Sequence, residues 1–257
     1  MQTPVLFVSH GAPDIALQTH APTLACWKQL GEHLAQPKAI LVISAHWETD
    51  RPTFSSAAQP DTIYDFGGFP RPLYSLQYPA HGAPELATQL QAAFAQAQLP
   101  LQLNPQRGLD HGAWIPLLSL YPNANIPVAQ LSIQTQAGPE WHLKLGTALQ
   151  SLRQEGILIL GSGAVTHNFA WLSRSASPLP AALEFSDWLA EKLEQRASNE
   201  LINYRAQAPY GAAAHPTEDH ILPLFVAFGA STDQDQLTRF TPEITYGALA
   251  MDAYLWE

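Results

Sequence analysis

Histidine is the residue type whose placement carries chemical information in this chain. There are ten, and three follow apolar runs through a short segment of small residues. These are Val8-Ser9-His10-Gly11, Ser44-Ala45-His46-Trp47 and Gly161-Ser162-Gly163-Ala164-Val165-Thr166-His167-Asn168. In open α/β sheets ligands bind beyond the carboxyl ends of the strands. If the three runs are parallel strands, His10, His46 and His167 all reach that edge and converge. For any one of them a hydrogen-bonded turn histidine is the commoner reading; three at equivalent strand ends favour a site. His111 lies in Asp110-His111-Gly112-Ala113-Trp114, where glycine lets backbone approach a ligand and a helical pattern begins. The last pair lies in His215-Pro216-Thr217-Glu218-Asp219-His220, with Pro216 suited to the first position of a helix and the acids to its first turn. A five-residue offset turns about 140° on a helix, so His215 and His220 are not a ligating i, i+4 pair. One can ligate while the other faces substrate. His20, His33, His81 and His142 have no such neighbours and read as exposed or structural.

Several neutral imidazoles in one cleft suit Fe, Zn, Cu or Ni. Zinc hydrolases, in which the metal lowers the pKa of water to about 7, and non-haem iron oxygenases are both open on this ground. The chain has no HExxH, no GxGxxG and no GxxxxGK[ST]. Gly161-Ser162-Gly163 lacks the GxSxG pattern of a nucleophile elbow, which sets serine hydrolysis aside.

The elements that must position these residues read as alternating strands and helices. Pro4–Val8, Ala39–Ile43, Ile126–Leu131 and Ile157–Leu160 are short, apolar and rich in branched residues. Residues 23–36, 84–98, 139–154 and 180–197 carry helical patterns. The alternation predicts an α/β fold: a single domain over residues 1–257, a three-layer sandwich with a largely parallel or mixed central sheet and helices on both faces. The stretch 50–81 is dominated by Pro, Gly and aromatic residues, as in Tyr64-Asp65-Phe66-Gly67-Gly68-Phe69-Pro70, and reads as a functional or lid-forming connection. Tyr64, Phe66, Phe69 and Trp114 can wall an aromatic ring, with core packing the expected role of at least two.

Composition narrows the partners. With 12 Lys+Arg against 22 Asp+Glu the net charge is 12 − 22 = −10. That argues against a nucleic-acid footprint and against a polybasic membrane anchor. The single cysteine, Cys26, excludes an intramolecular disulfide and any multi-cysteine zinc site. No apolar run is long enough to span a bilayer, and no Lys or Arg precedes Lys28 to form the charged start of a signal peptide. A cytoplasmic globular protein is expected.

The motifs SHGAP, SAHWE, IYDFGGFP, LDHGAW, GSGAVTHN and HPTEDHILPL occur in the order seen in class III extradiol ring-cleavage dioxygenases of the DODA type, within the LigB superfamily. The chain resembles that family from residue 5 to about residue 229, and GALAMDAYLW resembles its closing strand. The resemblance implies cleavage of a small catechol, DOPA-like, by O₂ at one divalent metal per chain: Fe(II) for dioxygenase work, with Zn(II) often found in relatives. It assigns His10, His46 and His220 as ligands and His167 as a further ligand or the catalytic base. His111 becomes a hydrogen-bonding group toward oxygen or substrate, and His215 a substrate-side residue. The wider superfamily uses two His and a Glu, and His220 stands where that carboxylate is found. A zinc-dependent hydrolase and a non-catalytic metal-binding relative are the competing readings.

Overall fold

The computed structural model describes residues 2–173 and 177–257. In chain order its strands are β1 (Val5–Ser9), β2 (Ala39–Glu48), β3 (Thr53–Ser55), β4 (Gln102–Asn104) and β5 (Val128–Ile133). They continue as β6 (Ile157–Gly163), β7 (Leu237–Phe240), β8 (Ile244–Thr245), β9 (Leu249–Ala250) and β10 (Ala253–Trp256). The helices are α1 (Pro22–His33), α2 (Leu86–Gln96), α3 (His111–Leu120), α4 (Gly138–Gln154) and α5 (Pro180–Glu194). Three short helices, α6 (Ser198–Ile202), α7 (Tyr204–Gln207) and α8 (Gly211–Ala214), precede α9 (Leu222–Ala230).

Eight strands form one mixed sheet in the order β4-β3-β5-β2-β6-β1-β10-β7. Its centre, β5-β2-β6-β1, is parallel, and β3, β10 and β7 pair antiparallel with their inner neighbours. The central strands are buried almost throughout and mainly apolar because both faces are covered. Successive side chains point to opposite faces. Leu6, Val8, Ile40, Val42, Leu158 and Leu160 therefore pack on Trp27 and Leu30 of α1 and Trp114 and Leu117 of α3. Their alternates Val5, Phe7, Leu41, Ile43, Ile157 and Ile159 pack on Leu145 and Leu149 of α4 and Leu222 and Phe225 of α9. Each such side chain contributes about 1.5–3 kcal/mol by leaving water, and a one-residue slip of register would lose both cores together. This is the expected three-layer sandwich, with a mixed rather than wholly parallel sheet. Among the described residues no helix is long and apolar enough to cross a membrane.

Several local expectations are corrected. The strand expected to end at Ile43 continues to Glu48, with a register shift against β5 between those residues, so His46 sits on β2 rather than past it. The 50–81 connection contains β3 and a 3₁₀ turn at Arg71–Ser75. The helix expected over 180–197 stops at Glu194, just before Arg196 takes a left-handed φ of 50°. His215 to His220 is not the start of a helix. Pro216 disfavours helical backbone at the residue before it, so α8 ends at Ala214 and the chain turns until α9 begins at Leu222.

Candidate active site

Close backbone approach at the sheet edge assembles the histidines. His10 follows β1, and its N–H donates to the Gly163 carbonyl at the end of β6 (2.9 Å). The residue just past β6, Ala164, donates its N–H to the His220 carbonyl at 2.8 Å. A Cβ at Gly163 would lie 2.1 Å from that carbonyl oxygen, so only glycine lets the His220 turn rest against the strand. On the other side, a Cβ at Gly112 would lie 2.4 Å from Ser44 Oγ and 3.1 Å from His46 Cδ2. The start of α3 is thereby seated on β2. Asp110, the N-cap of α3, fixes that seat: its buried carboxylate accepts from Ala113 N–H, Ser44 Oγ, Gln130 Nε2 and Arg107.

Hydrogen bonds behind the rings fix which nitrogen faces inward. Ser162 Oγ donates its only proton to the Gly112 carbonyl, so the 2.9 Å contact from His10 Nδ1 is an N–H donating to that oxygen. His10 Nε2 is then a lone pair. His220 Nδ1–H donates to Asp219 Oδ2, which leaves its Nε2 free as well. His46 Nδ1 faces Asp65 Oδ2 at 3.7 Å, and its Nε2 lies 3.0 Å from His10 Nε2. The donor atoms of His10, His46 and His220 all fall within 4.8 Å of one another. Unprotonated nitrogens converging in a buried site repel unless a cation lies between them, and a metal histidine with an acceptor behind its second nitrogen is the usual arrangement. The residues fit one divalent metal.

Burial, reinforced by the neighbouring imidazoles, holds His10 well below the ordinary histidine pKa. Burial and the nearby His111 push His46 down to about 4 against the pull of Asp110 and Asp65. His220 is lowered to about 3 by burial despite Asp219. All three are neutral, the ligating form, at pH 7.

His167, expected as ligand or base, falls outside that donor set and groups instead with Asp219 and His220. Its ring stacks on His220 with centroids 3.5 Å apart and planes 9° apart. Burial lowers its pKa, opposed by Asp219. The His111 ring lies 3.9 Å from that of His46 and 5.4 Å from that of His10. A cavity of about 340 Å³ opens over these five rings, walled by Phe66, Phe69, Phe169, Leu172, Tyr246 and Met251. Phe69 thus lines it, as does Phe66. Tyr64 and Trp114, expected as substrate-binding residues, pack behind that wall. The Tyr64 hydroxyl donates to the Leu76 carbonyl, and the fully buried Trp114 donates from Nε1 to the Ile63 carbonyl. A larger open groove of about 830 Å³ beside α1, touching Lys28 and Tyr121, holds none of these groups.

His215, expected on the substrate side, does not line the cavity. It is fully buried between Phe185 and Tyr204, and its Nε2–H donates to the Val165 carbonyl at 2.8 Å. Sequence reasoning missed Asp65, Asp219 and Ser162. An acid beside a candidate ligand was the available signal for Asp219, and an acid within the aromatic loop for Asp65. Ser162 carried none.

Buried neutral histidines make acid a stability variable. Burial lowers both His142 and His215 to about 4 from the ordinary histidine value of about 6.5. The unfolded chain takes up these protons below pH 6.5 and the folded chain only near 4. Stability is therefore present above 6.5 and declines as pH falls through that window, by roughly 1 kcal/mol per histidine per pH unit. The metal-free protein is expected to melt well below its pH 7.5 value at pH 5.5, as read by calorimetry. An unchanged melting temperature across that interval would show that these histidines are not held neutral.

An α/β sheet carrying a three-histidine donor set under an aromatic wall has the features of an enzyme with a metal site that takes an aromatic substrate. Residues 3–250 match the family described as the catalytic LigB subunit of aromatic ring-opening dioxygenase. The chain belongs to that family, and it is a ring-cleaving extradiol dioxygenase. A protein of Beta vulgaris named 4,5-DOPA dioxygenase extradiol is 42% identical over 238 residues, covering 90% of this chain and 87% of its own. A protein of the same name from Escherichia coli (strain K12) is 38% identical over 254 residues, covering 96% and 92%. The crystal structure of an uncharacterized Escherichia coli K12 protein superposes with a TM-score of 0.81 at 32% identity, covering 99% of both chains.

Proposed function

We propose that the chain opens the ring of a small catechol with a short side chain, DOPA-like, beside its diol, using Fe(II) held by His10, His46 and His220. The observation that carries this is the convergence of those three donor nitrogens at the floor of an aromatic-walled cavity. The names of the relatives support the substrate class. When bound, Fe(II) supplies the means for catechol and O₂ to exchange electrons, which O₂ and a closed-shell ring do only slowly unaided.

The chain's own residues bind the ring, exclude water and move protons. Phe66 and Phe69 wall the ring. His167, kept neutral by burial, takes a catechol hydroxyl proton on an imidazole nitrogen as substrate settles. His111 faces Asp65 with Nδ1 (3.0 Å) and leaves Nε2 to exchange a proton with the oxygen side of the substrate. Both atoms of O₂ enter the product as the carbon–carbon bond beside the diol breaks, giving a muconic semialdehyde. The single cysteine fits a cytoplasmic setting.

Anaerobic loading with Fe(II), followed by a panel of catechols and measurement of oxygen uptake, tests the reading. Uptake stoichiometric with a yellow ring-opened product is expected. Ester or amide turnover by the Zn(II)-loaded protein, with no oxygen uptake in either metal form, would replace it with a hydrolase.

A further inference from the structure

We propose that Asp65 is a positioning residue whose carboxylate ties the aromatic loop to His111 and His46, setting the rings that clasp substrate in register with the metal-binding face. This rests on the reading of the histidine cluster as the metal and catechol site. Asp65 Oδ1 accepts the His111 backbone N–H at 2.9 Å and lies 3.0 Å from His111 Nδ1, while Oδ2 lies 3.7 Å from His46 Nδ1. Although the loop is exposed, the Asp65 side chain is only 23% accessible.

The residues that follow explain what this tie controls. Phe66 meets the His111 ring edge-on at 5.5 Å, and Phe69 meets Phe66 edge-on at 5.6 Å. Upstream, Ile63 is anchored by its N–H to the Leu109 carbonyl (2.7 Å) and by its own carbonyl to Trp114 Nε1 (3.0 Å). Downstream, backbone hydrogen bonding resumes where Leu73 N–H donates to the Pro70 carbonyl. Among the described residues, 66–69 make no backbone–backbone hydrogen bond. Gly67 and Gly68 stand in open space, and Gly68 has a φ of +78°. The tip bearing both phenyl rings is thus held by ring packing and by Asp65. As an ion pair this partly exposed carboxylate is screened and weak. Its value is geometric, since small misplacement of reacting groups can cost about 10² in rate.

His46, Asp65 and His111 also form a group of donors within 4.8 Å, so a ligand role is the rival to be separated. The test compares Asp65→Ala and Asp65→Asn with the parent chain. Fe(II) and Zn(II) affinities are measured by competition with a chromophoric chelator, and hydrogen exchange is followed over residues 60–72 and 109–111 in metal-free protein. Catechol kcat and KM are measured per bound iron. Metal affinity is expected to stay within about threefold while the hydrogen-bonded amides of Ile63 and His111 in Asp65→Ala exchange about tenfold faster or more, the sheet being unchanged. KM should rise and kcat/KM fall by roughly 10–100-fold in Asp65→Ala. Asp65→Asn keeps an acceptor for the His111 N–H, so loop protection and KM should return toward the parent values while kcat stays reduced. A tenfold or greater loss of metal affinity would make Asp65 a ligand and overturn the proposal, as would unchanged loop exchange with unchanged KM in Asp65→Ala. If the parent chain binds metal but consumes no oxygen, the dioxygenase reading fails, and the exchange and chelator data still decide the role of Asp65.

Discussion

His46→Ala is expected to leave the protein without tightly held metal and without ring-cleaving turnover. The imidazole lost is one of three whose donor atoms lie within 4.8 Å, and its Nε2 is 3.0 Å from that of His10. Losing a hydrogen-bonding partner behind a metal ligand typically costs about 10–100-fold in affinity or activity, so removing a ligand should cost more than about 100-fold. The site histidine is part-buried on β2, whereas His81 is exposed and outside the cluster, which makes His81→Ala the matched control. Metal content after gel filtration and chelator competition reads the effect directly, and circular dichroism shows whether the sheet survives. Stoichiometric metal at unchanged affinity in His46→Ala would remove His46 from the ligand set.

Replacing His111 or His167 with Phe should separate proton transfer from metal binding. Neither belongs to the donor group of His10, His46 and His220, so iron should remain in both variants. Loss of a positioned acid or base costs about 10²–10⁴ in rate, and turnover should fall by that amount in each. The two should differ in what they slow. His167 is the proposed acceptor for the catechol proton, so its loss should retard formation of the anaerobic catecholate complex, more at pH 6 than at pH 8.5, where substrate ionisation needs less help. Loss of His111 should leave that step intact and slow the consumption of oxygen after it. Iron content, anaerobic catecholate absorbance and oxygen uptake on both variants decide between the roles. A fall of several-fold or more in metal affinity in His167→Phe would make it a fourth ligand, and full turnover in both would remove them from catalysis.

Much of this was written in local patterns. Short apolar runs such as Val5–Val8, rich in branched residues and buried on both faces, identify central strands, whereas the equally apolar Leu222–Ala230 is a buried helix that apolarity alone does not distinguish from them. Histidines placed just beyond small residues at strand ends mark the edge where ligands bind, since small residues are what lets turns pack there. Helix limits were less legible, because Pro216 can open a helix or end one, and only the packing of the His220 turn on Gly163 decides. The sequence by itself also could not say which of His10, His46, His111, His167, His215 and His220 share a cavity. That depended on the order in which strands distant in the chain lie side by side, which places β1 and β2 on either side of β6. Tertiary structure alone sent His215 into the core with Phe185 and Tyr204, turned Trp114 and Tyr64 behind the wall, and brought Asp65, Asp219 and Ser162 up to the site histidines. The physical reason is that a side chain's type and local period fix what it can do and which face it takes, whereas its partner across 66 or 152 residues, as in Ser44–Asp110 or His10–Ser162, is set by how the layers close.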